Sequence, residues 1–435
     1  MAYNPDEARD DHGKWTHGGG SGHYDKLTVN TILNDPNSEK AGSRSNSDIA
    51  KILNARGQEA LKALGVASGV INPPKGKVPA DPKETNLLSS AVASEIEDEL
   101  KRGGRDAEDW YTSKMKDAMN IAEQMHPEIK GDPAAKFAFT ASMAITSQGE
   151  TVPSNTRLAD QAYEVFEKTG KFPTDVKADA QIMMNNNFGK LNKLITALGV
   201  AGTQKFLDQE FTVGELKKLG HTVTGENVGT KVYGSAILGA KIGQGFYQNL
   251  NGNFKPLTAD MWLMRSWGRL TGTLVGGVDI TKPQARFEAA LKAEGQKVPK
   301  GQEDMVNRAA EIRLAHTKNF YDNREEFDSG KQTKSELVYA AERYEQAVDG
   351  IKDQPSGGGQ RQHIRDVFDQ AQQKLKDAGH PMSIADMQAT WWYPEKRLYT
   401  KMGSRNTERL NTDYATELRK LAIEKGIKLA IERKA

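Results

Sequence analysis

The stretch Gly225-Glu226-Asn227-Val228-Gly229-Thr230-Lys231-Val232 joins glycines, a threonine and a lysine, the residue types that cradle a phosphate. A nucleotide-binding P-loop needs four residues between its glycines, then Lys and Ser or Thr directly after, all following a buried strand. Here three residues separate Gly225 from Gly229, Thr230 intervenes before Lys231, and Val232 stands where the metal-binding hydroxyl belongs. The preceding "FTVGELKKLG" reads as helix, so the P-loop is rejected. A helix–hairpin–helix is the alternative, with a tight turn at Asn227-Val228-Gly229 and a second helix from about Thr230 through "YGSAILGAKIGQGFYQNL". Asn and Gly tolerate the positive φ of such a turn. N–H groups at a helix start can hold one DNA phosphate without reading sequence. Gly234, Gly239, Gly243 and Gly245 would each cost about 1 kcal/mol in a helix, which predicts close backbone packing, with Leu238, Ile242 and Phe246 as the core stripe.

The elements that must position this hairpin are helical. The 435 residues carry 27% charged side chains, a net charge of +2 and a mean hydropathy of −0.68, so any DNA site must come from local clustering. With no cysteine, disulfides, thiol nucleophiles and Cys-ligated zinc or iron–sulfur clusters are excluded. No apolar run approaches the ~18 residues of a membrane helix. The acidic, Gly-rich start "MAYNPDEARDDHGKWTHGGGSGH" is unlike a signal peptide. Residues 1–45 read as a disordered tether, 46–128 as a helical N-terminal region, 129–275 as the most apolar core, and 276–435 as a helical C-terminal region. "VINPPKGKVPADPKE" and "DQPSGGGQ" read as linkers. No alternating strand of useful length stands out, and the chain reads as mostly α.

Residues 137–270 resemble the helix–hairpin–helix base-excision DNA glycosylases of the endonuclease III and 8-oxoguanine glycosylase type. Three signals occur in that family's order. "FTASMAITSQGETVPSNTRLADQAYEVF" is similar to an early helix, a loop and an Asn starting the next helix, with Gln148 at the DNA wedge and Asn155 at the helix start. "VGTKV" is similar to the family's G-V-G-x-K hairpin, which puts Lys231 on the catalytic lysine position. "LTADMWLMRSWGRLTG" is similar to its D-x-x-x-x-R-x-x-x-R segment, with Asp260 on the catalytic aspartate and Arg265 and Arg269 following. The departures are Asn227 for a hairpin glycine, Glu226 for a proline, and a longer separation of Lys231 from Asp260. The resemblance implies a mostly α, two-lobed helical core with extra N- and C-terminal helices. The segment "KIGQGFYQNLNGNFKPLTAD" also resembles an uncharacterised phage protein family, and "DEARDDHGKWTHGGG" is similar to a tether of tailed-phage head and virion-associated proteins.

By this resemblance the chain is a DNA glycosylase and AP lyase: a base is flipped from the duplex, and a lysine amine attacks the sugar and permits strand cleavage. Lys231 would be that amine, activated at a helix N-terminus, and Asp260 its proton acceptor or the stabiliser of the sugar cation. Asn227, Val228, Gly229 and Thr230, with Gln148, Asn155, Arg265 and Arg269, would hold DNA, and Phe246, Tyr247 and Trp262 would line the base pocket. Each has a plain structural counterpart: Lys231 as a surface lysine, Asp260 as a helix cap, Trp262 and Trp267 as core, Gln148 as a loop cap, and Arg265 and Arg269 as partners of a structural carboxylate.

Near the C-terminus, residues 387–406 interleave Trp391, Trp392, Tyr393 and Tyr399 with Lys396, Arg397, Lys401 and Arg405, a pattern that stacks bases and holds phosphates or docks a helix on the core. The histidines lack zinc-site spacing, so neither metal nor cofactor is expected. The expected partners are double-stranded DNA and, in a virion, other phage proteins, with host cytoplasm or virion as the place and no membrane. The alternatives are a virion-associated head or ejected protein that uses the hairpin only to hold DNA, and a helical adaptor that binds proteins.

Overall fold

The computed structural model describes residues 46–63, 82–102, 110–178, 180–276, 279–323, 326–327, 331–404 and 412–430. The expected tether at 1–45, most of the first linker and Arg405 lie outside the described residues. The chain is mostly helical, and its contacts divide it into two compact units, 1–113 with 210–275 and 352–408, and 114–209 with 276–351 and 409–435. The segment 129–275 therefore runs through both units.

The first unit holds α1 (Asn46–Ala63), α2 (Pro82–Lys101), a short hairpin region, α8 (Met261–Thr271), α12 (Gly358–Asp377) and α13 (Ile384–Lys401). Its core joins Leu88, Val92, Leu263, Trp267, Leu270, Phe368 and Trp391, so α2, α8, α12 and α13 share one apolar centre. The second unit holds α3 (Met115–Met125), α4 (Pro133–Thr146), α5 (Val152–Thr169), α6 (Gln181–Asp208), α9 (Thr281–Ala293), α10 (Gln302–Asp322), α11 (Glu336–Asp349) and α14 (Tyr414–Glu424). There α4 packs on α5, α3 on α14, and α11 on both α9 and α10, around Phe287, Leu291, Leu337 and Tyr344 in the last group.

The hairpin region departs from the sequence expectation. Strand β1 (Glu210–Thr212) leads into α7 (Val213–Lys218), and strand β2 (Lys231–Tyr233) returns to pair antiparallel with β1, Thr212 opposite Lys231. No helix starts at Thr230. The residues Lys231-Val232-Tyr233 alternate exposed, buried and half-buried, and a β-branched residue beside an aromatic one favours a pleated, half-buried strand over a first helical turn. After β2 the chain forms a 3₁₀ turn at Gly234–Leu238, breaks at Gly239, and continues as a π-helical stretch Ala240–Tyr247. The expected close packing is present at Gly243 and Gly245 but not at Gly239, where an added Cβ would meet nothing within 4 Å. A Cβ on Gly243 would stand 1.6 Å from the Ser235 carbonyl oxygen, and one on Gly245 would stand 2.4 Å from Thr258 Oγ1.

Candidate functional site

Local capping sets the hairpin. Thr212 and Glu215 form a reciprocal cap at the start of α7: the Glu215 N–H donates to Thr212 Oγ1 at 3.2 Å and the Thr212 N–H donates to Glu215 Oε2 at 2.6 Å. The Thr230 N–H donates to the Asn227 carbonyl at 3.0 Å, closing the turn, and Val228 at its tip is 59% exposed. Lys231 is exposed at the start of β2. Asn227, Gly229, Thr230 and Lys231 line one side of an open cleft of about 500 Å³; Gln244 and, from α12, Gln362, Arg365 and Asp369 line the rest.

Glu226 is not among the residues that line this cleft, but it holds one that does. Its side chain is buried and takes both guanidinium nitrogens of Arg365, at 3.0 and 2.8 Å. Arg361 lies on the same side; burial and neighbouring Arg365 lower its pKa, and Glu226 opposes them. Glu226 thus anchors the turn to α12.

Asp260 is the N-cap of α8, its carboxylate accepting the Leu263 N–H at 2.8 Å. A buried amide network presents it. Asn249 Nδ2 donates to the carbonyls of Asn253 and Pro256, Thr258 Oγ1 donates to Asn249 Oδ1 at 3.0 Å, and the Thr258 N–H donates to Gln388 Oε1 at 2.9 Å. Burial raises the Asp260 carboxyl, against Lys241, the Leu263 N–H and Lys396. The cations that act most strongly on it are Lys241 and Lys396, whereas Lys231 sits in the cleft beside α12.

Several residues expected to touch DNA lie in the interior. Arg269 has no exposed side-chain surface and binds Glu95 through both terminal nitrogens at 2.9 Å, and Glu395 through Nε at 2.8 Å. Arg265 is 4% exposed and binds Asp353 at 3.1 and 3.3 Å. Of the two roles open to this pair, the structure shows the carboxylate partner. Asn155 is 1% exposed; it accepts from Thr146 Oγ1 at 2.7 Å and donates to the Tyr414 hydroxyl at 2.8 Å. It does not start its helix, since Thr151 caps α5. Gln148 is half-buried in the turn after α4, in the second unit, while the hairpin belongs to the first. Phe246, Tyr247 and Trp262 are core residues at 6%, 0% and 7% exposure rather than an open stacking pocket. Trp262 carries Arg265 4.9 Å from its ring centre and meets Tyr399 edge-on at 5.5 Å.

Among the described residues no group of three or more His, Asp or Glu side chains is arranged to hold a metal, and no helix is long and apolar enough to cross a membrane. No family model, curated protein or solved structure matches the chain.

Proposed function

We propose that this chain binds double-stranded DNA through its phosphate backbone, at the cleft between the Asn227–Lys231 turn and α12. The observation that carries the reading is the cleft itself, with an exposed turn, Lys231 and the amides of Gln244 and Gln362 on one concave face. Exposed backbone and an exposed cation position a phosphate without reading bases. The modest net charge of +2 limits the grip to a few phosphates. Excision of a base, as in the glycosylases the sequence resembles, is the enzymatic form of this reading. Holding DNA without excision, as in a virion-associated protein, is favoured by one observation: Lys231 is not among the cations that act most strongly on Asp260.

Fluorescence anisotropy with a duplex at varied salt tests the grip. Affinity should fall steeply with salt, and Lys231→Ala should reduce the slope of log K against log salt by about one. Absence of binding at about 50 mM salt removes the proposal. Borohydride trapping on an abasic duplex tests excision separately. A covalent adduct lost in Lys231→Ala supports the lyase, and no adduct leaves only the holding function.

A further inference from the structure

The charges that line the hairpin cleft are of both signs. Arg365 is already taken, because both its terminal nitrogens donate to Glu226. Two charges are left. The Lys231 ammonium and the Asp369 carboxylate both belong to exposed residues of the lining, and neither makes a hydrogen bond or ion pair among the described residues. One free cation and one free anion thus share a concave space of about 500 Å³, which suits a small ligand or one unit of a longer chain.

Two neutral donors stand with Lys231. Gln244 Oε1 accepts the Tyr233 N–H at 2.8 Å, which orients the amide and leaves its NH₂ without a partner among the described residues. The Gly229 N–H, in the exposed turn, also makes no hydrogen bond among the described residues. All three suit a phosphate, and Asp369 does not. An ionised carboxylate only accepts hydrogen bonds, and it repels a phosphodiester. The sugar–phosphate backbone of an unbroken DNA strand carries no O–H or N–H donor. A donor appears where the strand stops, as a free sugar hydroxyl.

We propose that the cleft holds a nucleotide with one phosphate and one free sugar hydroxyl, so that the chain grips DNA at a strand terminus; this rests on the reading of the cleft as a DNA phosphate site. Lys231, the Gly229 N–H and the Gln244 amide take the phosphate, and the hydroxyl donates to the Asp369 carboxylate. Asp369 is then the selecting residue. It disfavours an uninterrupted backbone and favours an end. Partial burial and Asp366 raise the Asp369 carboxyl, with Arg365 opposing them, and at about pH 8 the group is ionised.

The test is fluorescence anisotropy at about pH 8, with the full chain and internally labelled duplexes of one sequence. One duplex is closed at both ends by loops, one has 5′-phosphate and 3′-hydroxyl ends, and one has 5′-phosphate and dideoxy 3′ ends. The 3′-hydroxyl duplex should bind about tenfold more tightly than the other two, the effect of one hydrogen bond to a charged acceptor. A fourth duplex, with 5′-hydroxyl and 3′-phosphate ends, shows which terminus supplies the hydroxyl. Asp369→Ala, at an exposed position, should erase the difference by weakening the hydroxyl end and tightening the closed form. Lys231→Ala should weaken all forms together. Equal affinity for open and closed duplexes in the unaltered chain overturns the inference and leaves the DNA reading standing. No binding of any duplex at about 50 mM salt removes the DNA reading itself, and binding of thymidine 5′-monophosphate in its place assigns the cleft to a free nucleotide and overturns the strand terminus. A closed RNA duplex, with a 2′-hydroxyl on every unit, also overturns the terminus if it binds more tightly than the 3′-hydroxyl DNA.

Discussion

Arg269 Nε lies 2.8 Å from Glu395 Oε2, and neither side chain exposes any surface. Glu95 holds the other end of the same guanidinium, and the Trp391 indole N–H donates to Glu95 at 2.5 Å. One buried cation thus faces two carboxylates. Burial and the nearby Glu95 raise the pKa of Glu395, against the pull of Arg269. The cluster ties α2, α8 and α13 together.

Removing Arg269 leaves two acids buried without their counter-charge. Arg269→Ala should cost about 3–5 kcal/mol of stability, read as a lowered denaturant midpoint. Arg269→Lys should also destabilise, because an ammonium cannot make the paired geometry with Glu95. A variant that loses DNA affinity with its midpoint unchanged would contradict the interior role.

Asn155 makes a parallel case in the second unit, where its amide bridges Thr146 on α4 and Tyr414 on α14. Asn155→Ala should cost about 1–3 kcal/mol. Tyr414→Phe should cost less, because it removes one donor–acceptor pair and little packing. Neither change should alter the salt dependence of DNA binding. Thermal melts and anisotropy on the same samples separate the two effects.

Much of the helical scaffold was legible because amphipathic spacing and capping residues are local signals. Asp260, readable as a helix cap, does cap α8. The glycines of "AKIGQG" rightly implied close backbone approach, at Gly243 and Gly245. What was not legible depends on long-range partners. "GTKVYGSAIL" reads as a helix start until β1 offers Val232 a strand partner. Arg265 and Arg269 read equally as phosphate binders or as partners of a structural carboxylate until Asp353, Glu95 and Glu395 are brought to them from distant segments. Lys396 was one basic residue in an aromatic run, and nothing local ties it to Asp260. That link is made by the packing of α13 on α8.

Glu226 separates anchoring from binding at the hairpin. Its carboxylate neutralises Arg365, which lines the cleft, and opposes the lowered pKa of Arg361. Glu226→Gln should cost about 1–3 kcal/mol, because a charged, partly buried pair loses one member. It should also raise affinity for duplex DNA by freeing positive charge at the cleft. Stability and affinity moving in opposite directions is the expected signature. A parallel fall in both would mean that the turn needs this anchor to hold its shape.

His363 predicts an acid limit to the stability of the first unit. The ring is 2% exposed, packs edge-on against Trp267 at 5.3 Å, and has no hydrogen-bond partner on either nitrogen among the described residues. Burial lowers its pKa from the usual 6.5, with Asp366 opposing weakly. Above pH 6.5 the ring is neutral in both folded and unfolded chains, and the folded state bears no charging penalty. As pH falls below that value the unfolded chain takes up a proton that the folded chain refuses, so stability declines until the folded-state pKa is reached. His363→Phe should flatten this decline while keeping the ring contact with Trp267. Urea midpoints of both proteins between about pH 7 and 5 provide the check, and the same acid slope in both would place the sensitivity elsewhere.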